Sequence, residues 1–160
     1  MRRCTLGLLM LIVMSGGACG RDIDLAASLQ VDAVTTGWFD TGITAGKKKL
    51  VPAVSFTLKN ASDQKLRVLQ VSASFRREGD PDEWGTAYLT AAGSAGLAPG
   101  AATGALTLRS QLGYTGIDSG PEMLGNSFFV DARVNLFVKY GSGPWTPVGD
   151  YPISRRLLLR

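Results

Sequence analysis

The chain has 160 residues, 45% of them hydrophobic and 19% charged, with a formal net charge of +4. That composition suits one globular domain and excludes a disordered or collagen-like chain. The sequence contains no histidine, which excludes Ser–His and Cys–His nucleophile systems and removes the commonest zinc ligand.

The first element is a targeting segment. Arg2 and Arg3 precede an apolar run over residues 4–14, and Ser15, Gly16, Gly17 and Ala18 then supply small residues. The run is shorter than the ~20 residues that cross a bilayer as a helix. With its small-residue end it reads as a cleaved secretory signal, the alternative being an uncleaved, short membrane anchor. Without its first 18 residues the 160-residue chain keeps 142, enough for a compact core. Arg2 and Arg3 leave with the signal, so the mature charge falls to +2. Nucleic-acid binding then lacks its electrostatic footprint. Cys4 is lost too, and Cys19 keeps no intrachain partner; a lone thiol in an oxidising compartment is expected to be modified.

The stretch Gly16-Gly17-Ala18-Cys19 resembles the lipobox of bacterial lipoproteins, with Gly16 where leucine is usual. The resemblance implies cleavage before Cys19, a diacylglycerol on its sulfur, and a membrane anchor. Gly20 at the next position implies an outer-membrane address facing the periplasm. Residues 19–24 form the lipidated cysteine and its polar tether, and 25–160 form the folded domain.

Along that domain, period-two alternation dominates. Leu25, Ala27, Leu29, Val31 and Ala33 predict a half-buried strand, and the glycine- and lysine-rich residues 35–49 predict a long loop. Val54, Phe56 and Leu58 mark a second strand, with Pro52 near its start. Residues 60–65 form a turn, and Leu69, Val71, Ala73 and Phe75 mark a third strand. A polar loop leads to a short fourth strand over 86–90, an Ala/Gly-rich turn follows, and Leu106 and Leu108 mark a fifth. Residues 112–125 read as irregular. The strongest alternation places Phe128, Val130, Ala132, Val134, Leu136, Val138 and Tyr140 on one face, with Phe129 and Phe137 on the polar side. A last strand falls within 145–159. About seven strands with no helical period predict an all-β, immunoglobulin-like antiparallel two-sheet sandwich, held by apolar packing alone.

Residues 54–75, "VSFTLKNASDQKLRVLQVSASF", followed by "LAPG" at 97–100, resemble the sandwich domains of FxLYD-type and LEA14-like proteins. The shared features are the Lys-Asn-x-Ser strand end and the Leu-x-Pro-Gly turn. Arg76 and Arg77 stand where those families place tyrosine and aspartate. The resemblance implies the same sandwich fold.

Each chemical candidate has a structural alternative. Glu78, Asp80, Asp82 and Glu83 offer hard oxygen ligands for calcium, but without the glycine and spacing of an EF-hand they read as a solvated, ion-paired loop, and no metal is assigned. Lys47, Lys48 and Lys49 either touch anionic lipid or stay solvated and discourage edge pairing. Trp38, Trp84 and Trp145 sit at loop–strand junctions and either form a stacking surface for a sugar or protein or plug the ends of the core. Phe129 and Phe137 share a face and are candidates for the same surface. Asp118 and Glu122 are the nearest pair for histidine-free hydrolysis and read as loop residues. The tail 154–160 is either a last strand or a partner-binding peptide. These features predict no enzyme and no cofactor. They predict a membrane-tethered binding or scaffolding module with an envelope protein partner, the alternative being a lipid or small-molecule carrier with a cavity between its sheets.

Overall fold

A computed structural model describes residues 23–158. The signal segment, Cys19 and most of the tether lie outside the described residues, as do 159–160. Eight strands run β1 (Leu29–Thr44), β2 (Lys47–Asn60), β3 (Leu69–Arg77), β4 (Gly85–Ala92), β5 (Leu106–Arg109), β6 (Tyr114–Gly116), β7 (Ala132–Tyr140) and β8 (Thr146–Pro152). Every pair among these named strands is antiparallel, and a single parallel bridge joins Trp38 to Leu157 of the tail. One sheet has the order β1-β2-β5 with β6 also on β2, and the other has the order β4-β3-β7-β8. The protein is therefore an all-β, two-sheet antiparallel sandwich, with its fourth strand beside the third as in the immunoglobulin-like C′-C-F-G order.

The eighth strand arises from a break. β5 pairs with Ala53–Phe56 and β6 with Lys48–Leu50, so both lie along one edge of β2. Pro52 falls at the gap between them, and its carbonyl accepts from the Ser110 backbone N–H at 3.0 Å. Proline has no N–H to offer a ladder, so the break coincides with the one residue that cannot bridge it. Pro52 is thus mid-strand rather than at a strand start.

Three further expectations are corrected. Residues 35–49 are not a loop: they are the paired halves of β1 and β2, joined by Ala45 and Gly46, both with positive φ. That is the conformation a tight two-residue hairpin turn demands, and Ala–Gly is an uncommon way to write it. Leu25 opens α1 (Leu25–Ser28) rather than a strand, because the Asp24 carboxylate caps the backbone N–H groups of Ala26 and Ala27. Residues 128–131 precede β7 instead of belonging to it. Asn126 accepts from the Phe128 and Phe129 backbone N–H groups, and this turn reverses the phase of the alternation. Phe128 consequently points to solvent and Phe129 is buried. From Ala132 onward the alternation holds, with Ala132, Val134, Leu136 and Val138 inside.

The interior is filled by Trp38, Phe56, Leu58, Phe75, Val134 and Leu136, each at most 1% exposed. A second cluster of Leu25, Leu29, Leu66, Leu69, Leu97 and Val138 ties α1 into the sandwich. The two ends of the sandwich therefore differ. The tether end holds α1, the loops 61–68 and 93–105, and the β7–β8 turn. The distal end holds the β1–β2 turn, the loops 78–84 and 110–131, and the tail after β8. The tail returns as a strand fragment: the Trp38 N–H donates to the Arg156 carbonyl and the Leu158 N–H to the Trp38 carbonyl, both at 2.8 Å. Among the described residues no helix is long and apolar enough to cross a membrane.

Candidate binding surfaces

The aromatic residues singled out by the sequence separate into two groups. Trp38, Trp84 and Phe129 converge with Tyr114 at the distal end of the core. Trp38 lies 4.7 Å from Phe129 in an edge-on contact, 5.6 Å from Tyr114 and 6.2 Å from Trp84, centroid to centroid. Such offset and edge-on pairs suit the ring quadrupoles. Trp38 and Phe129 are buried, and Trp84 is half-buried, so the first two present no surface and close the sandwich instead. Burial pushes the Tyr114 hydroxyl above its ordinary pKa. The Arg155 guanidinium lies over Phe129 at 5.3 Å and binds Asp131 at 2.6 Å, fastening the tail to the loop that carries Phe129.

Trp145 and Phe137 are brought together on the outer face of the second sheet. They line a groove of about 240 Å³ with Ser72, Ser74, Glu83 and Thr86. The Ser74 hydroxyl donates to the Glu83 carboxylate at 2.8 Å, and the Lys139 ammonium sits 5.8 Å from the Trp145 ring. Only this pair among the five aromatic candidates shares an accessible surface.

The charged candidates are mostly tied down locally. Arg77 pairs with Asp80 at 2.7 Å, Arg133 reaches Glu78 at 4.0 Å, and Glu83 takes the Ser74 hydroxyl. The Asp82 backbone N–H and then Arg77 hold the Asp80 carboxyl below its ordinary pKa. No group of three acidic or cysteine side chains suited to a metal ion occurs among the described residues. Lys48 pairs with Asp40 at 2.9 Å and Lys49 donates to the Gln111 carbonyl at 2.8 Å, leaving Lys47 to solvent. Glu122 belongs to a capping box with Ser119 at the start of α2 (Gly120–Gly125) and does not pair with Asp118.

Two features were missed by sequence reasoning. The distal loops expose large apolar side chains, above all Phe128 at 90% and Ile117 at 85%. Phe128 lines a groove of about 190 Å³ with Tyr114, Gly116 and Met123. On the outer face of the first sheet, the Arg109 guanidinium stacks 3.4 Å from the centroid of the Phe39 ring, beside Arg156. No local sequence signal joins these three, because Phe39 and Arg109 meet only through β2, which separates their strands.

No protein-family model matches the chain, and no curated protein does. Two solved structures are similar in outline. One is the structural-genomics target SoR45, with a TM-score of 0.42 and 15% identity over 81% of this chain and 89% of that one. The other is the ligand binding region of Serine-glutamate repeat protein A from Enterococcus faecium, with a TM-score of 0.30 and 14% identity over 73% of this chain and 90% of that one. Likeness at this level carries no argument about function, and the fold rests on the strand pairing described above.

Proposed function

We propose that this protein is a non-catalytic binding module of a bacterial cell envelope, lipid-anchored at Cys19 and facing the periplasm from the outer membrane. The observation that carries the reading is the polarity of the sandwich. Of eight exposed large hydrophobic residues among those described, Ile43, Leu112, Ile117, Phe128 and Val130 all lie at the distal end. The chain enters at the other end, through α1. A lipid on Cys19 would therefore hold α1 toward the bilayer and turn these apolar loops outward, where a partner protein is reached. Loops on a rigid sandwich are a common seat of recognition, and exposed apolar groups concentrated at one end favour a protein partner.

The carrier reading has less support. It needs empty space between the sheets, and Phe56, Phe75, Leu58 and Leu136 occupy that space at 1% exposure or less.

Two measurements test the proposal. Mass spectrometry of the mature N-terminus is expected to find acylated Cys19; any other first residue rejects the anchor. A photo-crosslinking side chain at position 117 or 128 in intact cells is expected to give a protein adduct that Cys19→Ser abolishes. The same group at Val68, on the tether end, is expected to give none. Equal adducts from all three positions, or none from the distal pair, would reject the distal surface.

A further inference from the structure

The outer face of the first sheet carries a cavity of its own, apart from the distal loops. The cavity there is about 530 Å³ and is lined by Thr35, Phe39, Ser55, Thr107, Arg109 and Arg156, with the tail leucines closing one side. Its volume lies within the range of small-molecule sites. Among the described residues no carboxylate lines it. Arg76, Arg77, Arg133 and Arg155 each have a carboxylate partner within 4.0 Å. Arg109 and Arg156 have none among the described residues, although both face the same cavity.

Both guanidiniums are held in place without being neutralised. Phe39 supports Arg109 from below at 3.4 Å, a cation–π contact that leaves the in-plane N–H donors unused among the described residues. The Arg156 Nε donates to the Thr36 carbonyl at 3.0 Å, which fixes the side chain and leaves its two Nη groups without a partner among the described residues. Two positioned forks with spare donors are suited to a planar or tetrahedral oxyanion. Holding them before binding also lowers the entropy lost on association. Beside them, the Thr107 hydroxyl donates to the Ser55 hydroxyl at 3.2 Å, and Thr35 completes a row of three hydroxyls across β1, β2 and β5.

The geometry points to a binding site for a small anionic sugar: a carboxylate or phosphate group held between Arg109 and Arg156, and a hydroxylated body laid along Thr35, Ser55 and Thr107. Charge complementarity selects the anion, and the hydroxyl row selects a polar body over an apolar one. Arg156 reaches the cavity only because the tail pairs with Trp38, so the site joins the first strand of the domain to its last residues.

Calorimetric titration of the full chain in neutral detergent tests this with four probes: glucuronate, glucose 6-phosphate, glucose and inorganic phosphate. Saturable heat with glucuronate, glucose 6-phosphate or both is expected, and the stronger of the two names the oxyanion. Glucose should give no heat, and inorganic phosphate should bind more weakly than the better sugar. R109Q and R156Q should each weaken binding at least tenfold, equal to about 1.4 kcal/mol. T107V, which keeps both charges, should weaken the sugar but not inorganic phosphate. No saturable heat with either anionic sugar, binding of glucose at equal strength, inorganic phosphate binding as tightly as the sugars, or undiminished binding in R109Q and R156Q with unchanged circular dichroism would each overturn the proposal.

Discussion

The side-chain amide of Asn60 donates to the backbone carbonyl of Leu97 at 2.9 Å, joining the end of β2 to a turn 37 residues further on. The same amide donates to the Gln64 carbonyl at 2.7 Å, and its oxygen accepts from the Ser62 N–H and hydroxyl. The Asn60 backbone completes the clasp, with its carbonyl taking the Gly100 N–H at 2.8 Å and its N–H reaching the Ala101 carbonyl at 2.9 Å. Asn60 is fully buried. Asn60→Ala removes one of two donors from each of the Leu97 and Gln64 carbonyls and the acceptor of the Ser62 N–H, leaves a small void in the core, and should cost about 3 kcal/mol in urea denaturation. A loss below about 1 kcal/mol would mean that the clasp is dispensable.

The two aromatic groups predict opposite responses to truncation. Trp38 is buried among three other rings. Trp38→Ala should cost about 4 kcal/mol, the range for a large core side chain that leaves a cavity. Trp145 is 44% exposed, so Trp145→Ala should change stability by no more than about 0.5 kcal/mol. Comparable losses from the two variants, read by the same denaturation curve, would reject this division of roles.

Much of the sandwich was legible because its central strands bury one face each. β3 and the part of β7 from Ala132 show clean alternation, and the "KNAS" and "LAPG" segments that suggested the fold are the two sides of the Asn60 clasp. The first hairpin was not legible. From Leu50 to Val54 every residue of β2 is buried, the outward Val51 and Ala53 lying opposite Phe39 and Arg109, whose side chains stack on that face. Gly37 and Gly42 then make β1 look like a loop. Gly37 is glycine because the tail crosses it: a Cβ there would lie 2.8 Å from Leu158 Cγ and 2.9 Å from the Arg156 carbonyl. The alternation of β7, continued four residues back from Ala132, places Phe129 outward, whereas the local turn at Asn126 sets the opposite phase there. The distal surface and the Arg109–Phe39 stack depend on strand neighbours, which a linear pattern does not record.

The close crossing at Gly37 gives a direct test of the tail. Gly37→Val places a branched side chain where Leu158 and Arg156 lie, so the tail must lift from β1. Deleting residues 154–160 removes the same pairing together with the Arg155–Asp131 clasp and the packing of Leu157 on the core. The deletion should cost about 3 kcal/mol and lower Tm by on the order of 10 °C. Gly37→Val should cost about half as much and shift Trp38 emission to the red as water reaches the β1 edge. An unchanged Tm after the deletion would show that the tail contributes nothing to the sandwich.

Two carboxylates set an acid limit whose direction follows from their partners. The Ser119 side chain and backbone N–H hold Glu122 below its ordinary 4.5, and the Asp82 N–H, followed by Arg77, holds Asp80 below its ordinary 3.8. Each group is more acidic folded than unfolded. The stability it contributes is therefore fully present above the ordinary value and is lost as pH falls through the lower folded value. Carboxyl carbon shifts followed from about pH 6 to pH 2 should give midpoints for both groups below those of the unfolded chain. Arg77→Gln should raise the Asp80 midpoint only part of the way back, because the Asp82 N–H is the larger cause and remains. Ser119→Ala should return Glu122 most of the way, since the hydroxyl is the larger of its two partners. A Glu122 midpoint unmoved by Ser119→Ala would rule out the capping box as the source of its acidity, and α2 would then owe its start to Pro121 and the burial of Met123 and Leu124.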